Sequence, residues 1–147
     1  MAGEARTAKA AYEATTLAAS AARTADGNTQ ATPIRLPLAS AIVFVFDQTL
    51  AGSAVDDTCD VFVQTKIDGA NWVDVVHFTQ RLGNGTDALR SVAKIRASAA
   101  MTEFENATAL GAAAVRDLIG DEWAVRWVIV TGAGTHSFTF SVTAIPV

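Results

Sequence analysis

Apolar and polar residues alternate most regularly near the end of the chain. In HSFTFSVTA, Phe138, Phe140 and Val142 fall on one face, and Ser137, Thr139, Ser141 and Thr143 fall on the other. That period of two marks a strand with one buried face. EWAVRWVIV alternates likewise, with Trp123, Val125, Trp127 and Ile129 on one side. SAIVFVFDQTL is different, because Ile42, Phe44 and Phe46 share one face while Val43 and Val45 share the other. Two apolar faces predict a central strand covered on both sides, by an opposing sheet and by an N-terminal arm or a neighbouring subunit. CDVFVQTKI puts Val61, Val63 and Ile67 on a core face and Phe62, Gln64 and Lys66 opposite. IDGAN is then a hairpin turn built on Asp68-Gly69, and WVDVVHFTQ is the returning strand. RLGNGTD is a second turn, and ALRSVAKIRA a further strand.

The remaining stretches are less periodic. TTLAASAARTADGNTQA reads as a strand followed by a turn at Asp26-Gly27-Asn28, since Gly and Asn tolerate positive φ. Pro33 and Pro37 bracket IRL, exclude a helix there and suit the lead-in to an edge strand. Residues 98–121 predict a long crossing loop with one or two helical turns. Thr102 and Glu105 have capping-box spacing, and Gly111 interrupts any single long helix. Residues 1–14 form an arm whose alanines favour a helix, but the segment is too short to be stable alone, and an extended arm lying on a neighbour fits equally. The sum is an all-β protein, with no βαβ rhythm. It is an antiparallel two-sheet sandwich of jelly-roll or Greek-key type, with seven or eight strands over residues 15–147 and the arm at 1–14.

Composition narrows the function. A net charge of −4 argues against nucleic acid as a partner, which calls for a basic surface. No apolar run is long enough to span a membrane, and MAGEARTAKAAYEA lacks the apolar segment of a signal peptide. One cysteine, Cys59, cannot form an internal disulfide and lies near no histidine in sequence; a small, partly buried filler is the expected role. His77 and His136 lack further ligands at metal spacing, which favours structural roles. Asp47, Asp56, Asp57 and Asp60 make a local acidic group. DDTCD lacks the glycine and the bidentate glutamate of a calcium loop, so a solvated acidic loop is expected. Gly83, Gly85, Gly132 and Gly134 form G-x-G pairs between strands and read as turn glycines. Trp123 and Trp127 belong to a core face; Trp72, just after the hairpin turn, is the candidate exposed aromatic. No catalytic set and no cofactor motif emerges.

Three stretches together resemble small virion proteins encoded among the head genes of tailed bacteriophages. Ala19, Ser20, Ala21, Ala22, Arg23 and Thr24 match the opening strand of such proteins. Gln64, Thr65, Asp68, Gly69, Trp72, Asp74 and Val75 match their hairpin, and Trp123, Val125 and Arg126 their closing strand. The likeness spans roughly residues 15–145 and brings no catalytic residues with it. It implies a non-enzymatic structural protein, foremost a capsid decoration or cement protein. Such a protein is made in the host cytoplasm and located on the capsid surface, where it binds the major capsid protein and neighbouring copies of itself as a dimer or trimer. Arg6, Lys9 and Tyr12 of the arm, and Trp72, are the candidate partner-binding residues. A neck or tail component of the same virion, and a carbohydrate-binding module for host attachment using Trp72, are the alternatives.

Overall fold

The computed structural model describes residues 13–97, 103–105, 109–132 and 136–147. These residues form eleven strands and no helix. Seven strands have six or more residues: β1 (Thr15–Arg23), β4 (Ala41–Leu50), β5 (Thr58–Lys66), β6 (Trp72–His77), β8 (Leu89–Arg96), β10 (Glu122–Val130) and β11 (Phe138–Pro146). Four more have two residues each: β2 (Gly27–Asn28), β3 (Ile34–Arg35), β7 (Arg81–Leu82) and β9 (Ala114–Val115). Two antiparallel sheets pack face to face as a β-sandwich, with strand orders β1-β11-β4-β8 and β2-β10-β5-β6-β9; β3 pairs with β10 and β7 with β5.

The core is the set of inward positions that alternation marks. Ile42, Phe44, Phe46, Phe138, Phe140 and Val142 come from the first sheet, and Val61, Val63, Val75, Trp123 and Val125 from the second. Phe44 meets Trp123 at 5.5 Å between ring centroids, and Phe46 meets Phe140 edge-on at 5.3 Å. Such tilted contacts suit the ring quadrupoles. β4 is central, as its sequence predicts. On its outer face Val43 and Val45 are half-buried, and most of the arm expected over them lies outside the described residues.

Four expectations are corrected. Ile67 leaves the core face: β5 ends at Lys66, and Ile67 is 53% exposed at the open end of the sandwich. Asp26-Gly27-Asn28 is not a free turn, because Gly27 pairs with Trp127 and Asn28 with Arg126. A β-carbon on Gly27 would lie 2.6 Å from Trp127 Cζ2, so the missing side chain admits the indole. In the RLGNGTD stretch, Arg81 and Leu82 extend the sheet as β7, and the tight bend begins at Gly83. The crossing segment forms no helical turn among the described residues. Ala113 adopts φ 59° there, and the chain then pairs as β9 with β6. Exposed Gly111, two residues before left-handed Ala113, breaks helical continuity, and β6 offers an open edge in its place. Glu105 is irregular, and its capping partner Thr102 lies outside the described residues.

Candidate functional site

The β5–β6 hairpin turns through residues 67–71. Asp68 Oδ1 accepts hydrogen bonds from the backbone N–H groups of Ala70 (2.9 Å) and Asn71 (2.7 Å), and Oδ2 accepts one from Asn71 Nδ2. These bonds, led by that from the Asn71 amide, hold the Asp68 carboxyl down at about 2. Gly69 takes φ 75°, which an L side chain resists. Asp68 therefore secures the turn, as the sequence suggests.

Behind the turn, the outward face of β5, β6 and β10 carries clusters of paired polar side chains. Lys66 and Glu122 pair at 3.4 Å, and Arg35 reaches Glu122 and Asp121. Arg126 donates to Asp74 at 2.9 Å; the other Asp74 oxygen accepts from Gln64, whose own carbonyl accepts from Gln30. Arg126 also stacks on Phe62, and Phe62 on His77. His77 Nε2 lies 2.8 Å from Asp60, which accepts a further bond from Gln80, while Nδ1 faces the Leu110 carbonyl at 2.8 Å. Asp74 and His77 have no visible partners in sequence, yet each has several in the fold. Gln64, Asp60 and Phe62 come from the neighbouring strand β5, whereas Arg126 comes from β10 and Leu110 from the crossing segment, both remote in sequence.

The acidic group of residues 47–60 separates. Asp47 pairs with Arg90 at the surface, and Asp60 with His77. Asp57 is fully buried, against the expectation of a solvated loop. It accepts from the N–H groups of Ala54 and Gly132 at 3.1 Å each, and its backbone carbonyl accepts from Gly83 N–H at 2.8 Å. His136 Nδ1 stands 2.9 Å from Asp57 Oδ2, at ion-pair range but without hydrogen-bond alignment. Burial pulls the Asp57 carboxyl up, but the two amides and the histidine outweigh it and hold it below the usual carboxylate range. Gly83 and Gly132 are thus more than turn formers, because a β-carbon on either would collide with Ala54, Asp57 or Asp56. Asp57 ties three loops at one end of the sandwich. Among the described residues, no group of three or more His, Cys, Asp or Glu converges as a metal would require.

Arg23, the arginine of the opening motif, has a comparable role. β1 is bulged between Thr16 and Ala18 and between Ala18 and Ala21, which takes carbonyls out of the ladder. The Arg23 guanidinium donates to the carbonyls of Ala19 (2.7 Å), Ala21 (2.9 Å) and Phe140 (2.6 Å), and lies over the rings of Trp127 and Phe140. Trp127 is half-buried, and its Nε1 donates to the Ala25 carbonyl. Cys59 is wholly buried, and burial, helped by neighbouring Asp60, pushes its thiol up to about 12. A thiol so protonated is a poor nucleophile.

Two largely apolar surfaces lie among the described residues. At the hairpin end, Leu36, Leu38, Ile42, Ile67, Leu118 and Ile119 line an open apolar cleft of about 500 Å³. On the first sheet, Val43, Val45, Val92 and Ile145 share the outer face. Trp72 is half-buried at the start of β6, with Lys66 Nζ 4.9 Å from its ring centre. The other candidate partner residues, Arg6, Lys9 and Tyr12, lie outside the described residues. No family model matches the chain, and no curated protein matches it.

Proposed function

We propose that this chain is a non-enzymatic structural protein of a tailed-bacteriophage virion, a decoration protein that binds the outer surface of the major capsid lattice. One observation carries the reading: the residues that resemble phage virion proteins fold into a single frame. Arg23 of the opening strand stacks on Trp127 of the closing strand, and Arg126 of that strand binds Asp74 of the hairpin. The first contact bridges the two sheets, and the second ties β10 to β6 within one of them. The titratable groups described above serve loops and strands, which suits a scaffold better than a catalyst. Cementing would follow from contact alone, because each copy bridging capsid subunits adds contacts that shell rupture must break, a mass-action linkage. The arm with Arg6, Lys9 and Tyr12 is the proposed clamp on the lattice.

Electron microscopy of particles bearing the protein tests the placement. Regular density across the shell supports decoration. Density confined to one vertex makes the protein a neck or tail component. Removing residues 1–14 is expected to lower shell occupancy, and saturation with unchanged affinity would overturn the clamp.

A further inference from the structure

We infer that the outer face of the β1-β11-β4-β8 sheet is the docking surface for a second copy of this chain, related by a two-fold axis parallel to the strands. The proposal does not depend on the virion reading, since it concerns the purified protein alone.

Three features of the face point there. First, its centre is apolar and in register. Val43 pairs with Ile145 and with Lys94, and Val45 pairs with Thr143 and with Val92, which is 64% exposed. Second, the positive charge lies along one margin. The outward row of β8 is Arg90, Val92, Lys94 and Arg96; Arg90 is paired with Asp47, whereas Lys94 and Arg96 have no salt bridge among the described residues. Third, the opposite margin is β1, where Ala19, Ser20, Ala21 and Ala22 are exposed and small and exposed Glu13 precedes the strand.

Charge then selects the symmetry. An axis perpendicular to the strands would lay each β8 on its counterpart and bring like charges together, which is unfavourable. An axis parallel to the strands, between β4 and β11, lays β4 on the partner's β11 and β8 on the partner's β1, with the same ends together. Val43 then stacks on the copy of Ile145, and Val45 on that of Thr143. Arg96 pairs with Ala41, which bonds to Val147, while the register from Thr15–Ala144 brings Glu13 to the same end of the sheet. Lys94 and Arg96 are therefore brought to the end of the sheet where exposed Glu13 of the copy precedes β1. Aligned sheet packing of this kind is the usual arrangement of stacked twisted sheets.

Size sets the strength. Four strands about 4.8 Å apart and about eight residues long cover roughly 500 Å². Two such faces bury roughly 1,000 Å², near the lower limit of a specific interface. The dimer should accordingly be reversible and concentration-dependent.

Sedimentation equilibrium over a wide concentration range tests this. The wild type should pass from monomer to dimer. Val92→Asp should weaken association by about tenfold or more. Lys94→Glu with Arg96→Glu, and Glu13→Lys alone, should each weaken it, and all three changes together should restore it. Leu38→Asp, in the apolar cleft, should leave it unchanged. Near-ultraviolet circular dichroism confirms that each variant is folded. A wild type that stays monomeric throughout, a trimer, weakening by Leu38→Asp but not by Val92→Asp, or failure of the charge exchange to restore association would each overturn the assignment.

Discussion

Asp57 and Asp68 are both aspartates in loops, and the fold uses them at different depths. Asp68 sits in a five-residue turn whose chemistry is local, so its role can be read from IDGAN alone. Asp57 draws its partners from residues 54, 83, 132 and 136, and no local pattern distinguishes it from its neighbour Asp56. Both carboxyls are held below their ordinary value. Each therefore contributes stability that is complete above the unfolded-state value near 3.8 and is lost as pH falls toward the folded-state value. For Asp68 that window runs from about 4 down to about 2. Asp68→Ala should lower the urea midpoint at neutral pH, and the gap from wild type should close as pH is lowered through this window. A gap that stays constant with pH would show that the carboxylate charge is not what holds the turn. Gly27 tests close approach instead. Gly27→Ala must displace the Trp127 ring, and overpacking of this kind should cost about 1–3 kcal/mol in urea unfolding.

At the scale of elements, what can be read from the sequence follows the length of the periodic run. Among the seven long strands β10 and β11 alternate most regularly, and the inward positions read from β4, β5, β10 and β11 supply much of the observed core. The two-residue strands carry no period, and each is recruited by an edge: β2 and β3 by β10, β7 by β5, β9 by β6. Alanine-rich sequence around the crossing segment favours helix intrinsically, but an open sheet edge and the His77 and Arg116 contacts pull the chain into extended form there. Bulges are equally hidden from the pattern. In β1 they bury Leu17 and Ala18 in succession and leave carbonyls for Arg23 to satisfy. A lysine lacks the planar fork that reaches three carbonyls and covers two rings. Arg23→Lys should therefore destabilise by about 1–3 kcal/mol, the range for losing charged hydrogen bonds. Measured by urea unfolding, a cost indistinguishable from zero would remove Arg23 from the frame.

The two ends of the whole chain contribute unequally. β11 lies between β1 and β4, so the last strand closes the first sheet and joins residues more than a hundred positions apart. Pairings this distant impose loop-closure entropy before contacts compensate it, so folding should be slow for the chain's size. The strand also places Phe138, Phe140, Val142 and Ala144 in the core, each with no exposed surface. Burying a Phe or Val side chain contributes about 1.5–3 kcal/mol. Three such residues alone approach the roughly 5–15 kcal/mol that separates folded from unfolded domains. Deleting residues 138–147 would also leave β1 without a partner and expose one side of β4. That variant should therefore show no cooperative unfolding transition by circular dichroism. Deleting residues 1–12, by contrast, removes none of the strands or core contacts described here, and its urea midpoint should match that of the full chain. Loss of cooperativity on deleting residues 1–12 would show that the arm belongs to the folding unit, and the division into arm and sandwich would fall.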